Sequence, residues 1–290
     1  MKEILKKIRD YEIRIRKAIN TQMQGDFHSV FKGSGLEFDE VRQYQYGDDI
    51  RHIDWNVSAK GFGTFVKTFK EDKEQNVFFL LDVSASQEVG KGNTTKLQVA
   101  KEICGVLALS AIREASNVGV LCFSDTQEQY IKTEKGIRHA YLIIKRIFQL
   151  KPQSQKTNLS NGLKTLLNIL KRRSLVIVIS DFVDSNYEKH LKAVAHLHDL
   201  IVIHVYDKRE AEFPDLGIVP LWDVESKKTI WVNTSSRLFR IKRNRFHTTN
   251  VAHILEICRK NEANYVNIST QEDYVPKLIR LFKVRNKIRK

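Results

Sequence analysis

The sequence predicts an α/β fold, a mostly parallel sheet flanked by helices, with a smaller N-terminal module ahead of it. Three observations carry this reading. From Asn76 to Ser269, short apolar runs alternate with helical patterns, the signature of βαβ units. The candidate strands, Val77–Leu81, Val118–Phe123, Leu175–Ser180, Leu200–Tyr206 and Tyr265–Ile268, are rich in Val, Ile, Leu or Phe, as expected of strands buried on both faces. The first 75 residues lack that alternation and differ in character.

Taken in order, Met1–Ile19 places Ile4, Leu5, Ile8, Tyr11, Ile15 and Ile19 on one helical stripe, with basic residues opposite. Leu36–Lys70 mixes aromatics, glycines and acids without clear periodicity, so 1–75 reads as a separate module with its seam near Glu71–Asn76. Beyond the seam, Lys96–Glu114 is apolar nearly all round and should pack centrally against the sheet. Gly136–Leu150, Leu159–Lys171, Asn186–His198, Val251–Lys260 and Gln271–Lys283 are ordinary amphipathic helices, and Gln127–Lys132 alternates like an antiparallel edge strand. Residues 208–249 interrupt the pattern inside the 76–290 domain: Val219–Trp222 and Thr229–Val232 flank Asp223–Lys228 as a hairpin, and basic sequence follows.

Composition narrows the function classes. The chain has 290 residues, 42% hydrophobic and 29% charged, enough for a sizeable core without disulfides or metal staples. No apolar run approaches the roughly 20 residues of a membrane span, and the charged N-terminus has no signal core, so a cytoplasmic protein is expected. Cys104, Cys122 and Cys258 are too scattered for a zinc or redox pair and read as buried thiols. The formal charge is +15, and it is local: 227–245 holds seven basic residues and no acid, and Lys277 to Lys290 holds seven more. These patches fit solvated surface, docking onto an acidic protein, or contact with nucleic acid or an anionic membrane. Neither interleaves aromatics in a base-stacking pattern, which disfavours nucleic acid, and peripheral membrane association stays open.

The chemistry lies at the strand ends. The first strand of the α/β domain runs into Asp82-Val83-Ser84-Ala85-Ser86, where open α/β sheets bind ligands. Taken alone, such a segment also makes a local turn or helix cap. Thr157 adds a hydroxyl just before a helix, and Asp181 closes another apolar strand, so parallel strands would bring Asp82, Ser84, Ser86, Thr157 and Asp181 to one edge. An all-oxygen set of this kind suits a hard divalent ion, Mg²⁺ or Mn²⁺. With these residues the segment resembles a von Willebrand factor A domain carrying a metal-ion-dependent adhesion site, which implies a doubly wound sheet. The resemblance implies that Ser84, Ser86 and Thr157 contact the metal and that Asp82 and Asp181 bind it directly or through water. The sequence departs from the family pattern at QKTNL, where glycines are common, and at Phe182, where glycine usually follows the aspartate.

Gly33 to Glu74, with the GDD-x-R-x-x-D-W core of Gly47, Asp48, Asp49, Arg51, Asp54 and Trp55, is similar to the signature of a bacterial family, domain of unknown function fifty-eight. Members pair such a segment with a von Willebrand A-like domain and occur with MoxR-type AAA+ ATPases. Read physically, the acids with Arg42 and Arg51 would form a charged network between module and domain, with Trp55 as an apolar anchor. The function expected is a non-enzymatic, metal-dependent protein-binding module, in which a partner's Asp or Glu completes the metal's coordination. By resemblance the partner is a MoxR-type AAA+ ATPase or a substrate handed to it, in a chaperone-like role. The alternatives are an Mg²⁺-dependent phosphoryl hydrolase or transferase, for which no nucleophile or base can be assigned, and a nucleic-acid-binding protein using the basic patches. Gly90–Lys96 lacks the spacing of a phosphate loop and reads as a polar connection, and the nine histidines contain no zinc motif.

Overall fold

In the computed structural model, the described residues fall into two units that divide between Gln75 and Asn76. Described are residue 10 and residues 35–288, apart from 62, 73–74, 92–93, 212–214 and 224–227. The expected Met1–Ile19 helix therefore lies, but for Asp10, outside the described residues.

The smaller unit is an antiparallel pair, β1 (Gly35–Gln43) with β2 (Phe65–Asp72), bulged between Phe38 and Glu40. Its connection holds the GDD-x-R-x-x-D-W core, and each carboxylate there has a local task. Asp48 takes both guanidinium nitrogens of Arg42, at 2.9 and 2.7 Å, and the Gln45 N–H. Gly47, at φ +104°, makes the turn before it in a conformation that disfavours any side chain. Asp49 caps a 3₁₀ turn, Ile50–His52, and pairs with Arg51. Asp54 caps the single-turn helix α1 (Trp55–Ser58) and pairs with Lys67 at 3.2 Å. These bonds lie within the unit, and Trp55 is 70% exposed.

The larger unit is built on a six-stranded sheet in the order β12-β9-β8-β3-β6-β7. Its strands are β3 (Asn76–Asp82), β6 (Asn117–Phe123), β7 (Gln127–Glu134), β8 (Leu175–Ser180), β9 (Asp199–Tyr206) and β12 (Asn264–Ser269). All pair in parallel except β7, the antiparallel edge. Alternate residues of each apolar run face opposite layers. Val77, Phe79 and Leu81 join the core beneath α2 (Lys96–Arg113), α3 (Ile137–Gln149) and α8 (Val275–Ile288). Phe78 and Leu80 join the other, beneath α4 (Leu159–Ile169), α5 (Glu188–Leu197) and α7 (Arg237–Lys260). The three cysteines are buried thiols.

Two short pairs complete the unit. Gly90–Lys91 (β4) and Thr94–Thr95 (β5) pair within the expected polar connection, and β10 (Ile218–Asp223) and β11 (Lys228–Asn233) form the hairpin of the 208–249 insertion. A four-residue helix, α6 (Lys208–Ala211), follows β9. The sequence expectation is corrected at α7, which begins at Arg237, fourteen residues before the expected Val251. Burial periodicity marks only the part of a helix that packs, and the buried Ile254, Ile257 and Cys258 lie near its end. The parallel pairing places the carboxyl ends of β3, β8 and β9, and the residues that follow them, along one edge.

Gly119 of β6 is a packing glycine. It sits opposite Phe78 in the register, and a Cβ there would lie 2.6 Å from the Phe78 ring and 2.8 Å from the Thr133 methyl. Gly119→Ala should therefore destabilise the protein by about 1–3 kcal/mol through overpacking. Urea unfolding of wild type beside the variant measures this, and equal midpoints would contradict it.

Candidate metal centre

Asp82 ends β3 with its carboxylate fully buried. Its Oδ1 accepts from the Ser84 hydroxyl at 2.6 Å and from the Ser84 N–H at 3.0 Å. Oδ2 accepts from the Ser180 hydroxyl at 2.6 Å and from the Gln87 amide at 3.3 Å. Because Ser84 gives its proton to Asp82, its lone pairs are left for another partner. Its oxygen lies 3.1 Å from that of Ser86, which in turn bonds Asp181. The loop is held in place by Val83 N–H to Phe123 O and Ala85 N–H to Gln155 O.

Asp181 follows β8 and is buried as deeply. Its Oδ1 accepts from the Val183 N–H at 3.2 Å, and its Oδ2 takes the Lys96 ammonium at 2.6 Å. Lys96 is itself fully buried, at the first position of α2, and also bonds Glu210 of α6 at 2.6 Å. Three carboxylates and one ammonium leave two negative charges in excess.

Of the five predicted residues, the structure joins Asp82, Ser84, Ser86 and Asp181 in one hydrogen-bonded group. Thr157 sits two residues beyond the bonded Gln155, on the wall of a polar cavity of about 470 Å³. That cavity is also lined by Asn158, Lys164, Asp184, Asn186 and the bonded pair Ser160 and His190, 2.8 Å apart. Just after β6, the Ser124 hydroxyl donates to Glu128 at 2.7 Å. Phe182 takes φ +53°, which explains why glycine is common there. A left-handed residue with a side chain costs about 1–2 kcal/mol. Phe182 holds that conformation while packed, fully buried, against the rings of Tyr187 and His204.

Sequence reasoning missed Lys96, Gln87 and Glu210. The dipole of a helix disfavours a cation in its first turn, so Lys96 directly after the Thr95 cap was a readable sign of carboxylates nearby.

The model for "Protein of unknown function DUF58" matches residues 40–254, most of the chain. The chain belongs to this family. An uncharacterized protein of Mycobacterium tuberculosis H37Rv is 25% identical to this DUF58 protein over 285 residues, covering 97% of this chain and 89% of the relative. An uncharacterized Mycobacterium avium protein is 28% identical over 139 residues, covering 47% of this chain and 80% of its own. Among solved structures, an aerotolerance-related membrane protein from Bacteroides fragilis overlaps 74% of this chain and 99% of its own, at 15% identity and a TM-score of 0.50. BatB from Bacteroides thetaiotaomicron overlaps 73% and 99%, at 16% identity and a TM-score of 0.48. The SpRpn10 VWA domain overlaps 71% and 93%, at 12% identity and a TM-score of 0.40. At these identities the likeness is one of fold, and the DUF58 protein has a von Willebrand factor A-like α/β fold with a mostly parallel central sheet.

The residues present fit a hard divalent ion. Neighbouring ligand oxygens on an octahedral Mg²⁺, at 2.0–2.1 Å from the metal, are about 2.9 Å apart. The 3.1 Å between Ser84 and Ser86 oxygens matches that spacing. Gln87 Oε1 is a further buried oxygen beside Asp82, and it lacks a hydrogen-bond donor. Among the described residues no group of three or more His, Cys, Asp or Glu is placed to hold a metal, and the candidate residues here offer hydroxyl oxygens with two carboxylates.

The two carboxylates titrate apart. Burial, and then the charge of Asp181, push Asp82 up to about 6 against the hydrogen bonds of Ser180 and Ser84. Burial pushes Asp181 up too, but the charge and hydrogen bond of Lys96, with Val183 N–H and Ser86, hold it below the usual range. Burial likewise works against the Lys96 ammonium, and Asp181 and Glu210 outweigh it.

A pH dependence follows. With Asp82 raised to about 6 in the folded state, the native protein binds the extra proton, so its contribution to stability is present below the unfolded value and lost as pH rises through 6. In chelator, the stability of Asp82→Asn relative to wild type should therefore rise between pH 4.5 and 7.5, by about 2 kcal/mol. Denaturant unfolding across that range measures it, and a difference that is flat or falls with pH would contradict the assignment.

Proposed function

We propose that this DUF58 protein is a non-enzymatic, divalent-metal-dependent protein-interaction module that works with a MoxR-type AAA+ ATPase in a chaperone-like or assembly role. The observation that carries the reading is the pair of hydroxyl oxygens, Ser84 and Ser86, set 3.1 Å apart above two buried carboxylates. Ser84, Ser86 and Thr157 would hold Mg²⁺ or Mn²⁺, with Asp82 and Asp181 close behind. When bound, the ion supplies a coordination position that an Asp or Glu of the partner fills.

The chain's own residues prepare that contact. Asp82 draws the hydroxyl protons of Ser84 and Ser180 toward itself, which turns the Ser84 lone pairs outward. Lys96 fixes Asp181 through one oxygen and leaves the other to the Val183 N–H. It also offsets one negative charge, so a dication is attracted without an excess that would repel a partner's carboxylate. The polar cavity beside Thr157 offers Asn158, Lys164 and Asn186 to the residues flanking that carboxylate. The ATPase partnership rests on the family resemblance of the GDD-x-R-x-x-D-W core.

Calorimetry on chelator-treated protein tests this. Mg²⁺ and Mn²⁺ should bind one per chain, and Ser84→Ala or Asp82→Ala should weaken binding at least about tenfold with thermal unfolding retained, as loss of a direct or orienting ligand does. A MoxR-type ATPase should be captured in Mg²⁺ and released by chelator. Stoichiometric Zn²⁺ binding that survives Asp82→Ala and Asp181→Ala, or capture indifferent to chelator, would overturn the reading.

A further inference from the structure

The ribbon of β10 and β11 takes no part in the metal centre and pairs only with itself. Its base is firmly closed. Thr234, fully buried, donates its N–H and its hydroxyl to Gly217 O, both at 2.8 Å, and accepts the Leu216 N–H at 2.9 Å. Above that base the ribbon is apolar and exposed on both sides. The register puts Ile218, Pro220 and Trp231 on one face, with Ile218 and Trp231 67% and 69% exposed. The other face carries Val219, Ile230 and Val232, and Ile230 is 52% exposed. Leu216 at the base and Leu238 in the first turn of α7 add 60% and 80% exposed side chains.

A two-stranded ribbon is marginal in water by itself, and contiguous exposed apolar surface marks an interaction site. Charge identifies the occupant. The hairpin itself is balanced, with Asp223 and Glu225 against Lys227 and Lys228, and from Arg237 to Arg245 the first turns of α7 hold five cations and no acid. We propose that the ribbon and the start of α7 form a membrane-docking site that seats on an anionic lipid bilayer. A folded protein partner would cover one face of the ribbon and leave the other wet, whereas the interfacial layer of a bilayer surrounds both faces together. Trp is the residue most at home there, with its ring among acyl chains and its N–H among headgroups. The basic sequence at the start of α7 suits anionic headgroups, as in amphipathic segments that lie at the interface. The contact stays shallow, because the ribbon's outer backbone groups need water or headgroups as partners. Among the described residues no helix is long and apolar enough to cross a membrane, so this is attachment to a surface.

Flotation of the full chain with lipid vesicles tests the proposal. Phosphatidylcholine vesicles are compared with vesicles in which about a third of the lipid is phosphatidylglycerol, a fraction that gives a strongly negative surface. The protein should float with the anionic vesicles at least about tenfold more than with the neutral ones, and lose them as salt is raised. Brominated lipid should quench tryptophan fluorescence, and Trp222→Phe together with Trp231→Phe should remove most of that quenching. Ile218→Ser with Trp231→Ser, both at exposed positions, should keep the melting temperature and lose vesicle binding at least about tenfold. Failure to float with anionic vesicles would overturn the proposal. So would flotation that survives the double substitution, or a ribbon bound only by a protein.

Discussion

Two carboxylates buried at neighbouring strand ends are the constraint around which the rest of the centre is arranged. Taking a charge out of water costs several kcal/mol per ion even after the protein relaxes, so each must be compensated. The chain does this in two ways. Asp181 receives a full counter-charge from Lys96, whereas Asp82 receives only dipoles, from Ser84, Ser180 and Gln87. Their pKa values separate accordingly. Asp82 is left as the undercompensated charge, and it is the one whose hydrogen bonds orient the serine oxygens.

The sheet makes this arrangement possible. Strand β3 pairs in parallel with β8 on one side and β6 on the other, so Asp82 and Asp181 end up on adjacent strands at one edge with no loop needed to fetch either. Lys96 comes from the start of α2, the most thoroughly buried helix, and Glu210 from the short helix after β9. The centre is therefore assembled from rigid elements and their first following residues, which favours a preformed geometry. The insertion after β9 both supplies Glu210 and carries the exposed ribbon, so one departure from the βαβ rhythm serves two purposes.

Much of this was legible in the sequence because the signals were local. Apolar runs with helical stretches between them gave every strand of the large sheet, including the antiparallel edge at Gln127. The DxSxS segment and Asp181 named four residues that the structure joins. What escaped had a weak, absent or misleading local signal. Lys96, in the first turn of α2, pointed to nearby carboxylates without naming them, because its partners are 85 and 114 residues away. The first half of α7 escaped because periodicity records packing, and the buried residues described on that helix lie near its other end.

If the Asp82, Ser84, Ser86 and Asp181 group holds a divalent cation as proposed, anomalous diffraction from crystals grown with Mn²⁺ should show a single strong peak within about 2.3 Å of the Ser84 and Ser86 oxygens, an ordinary oxygen-ligand distance for such ions, with Lys96 still on Asp181. A peak elsewhere, or none at Mn²⁺ concentrations that saturate a millimolar site, would contradict it.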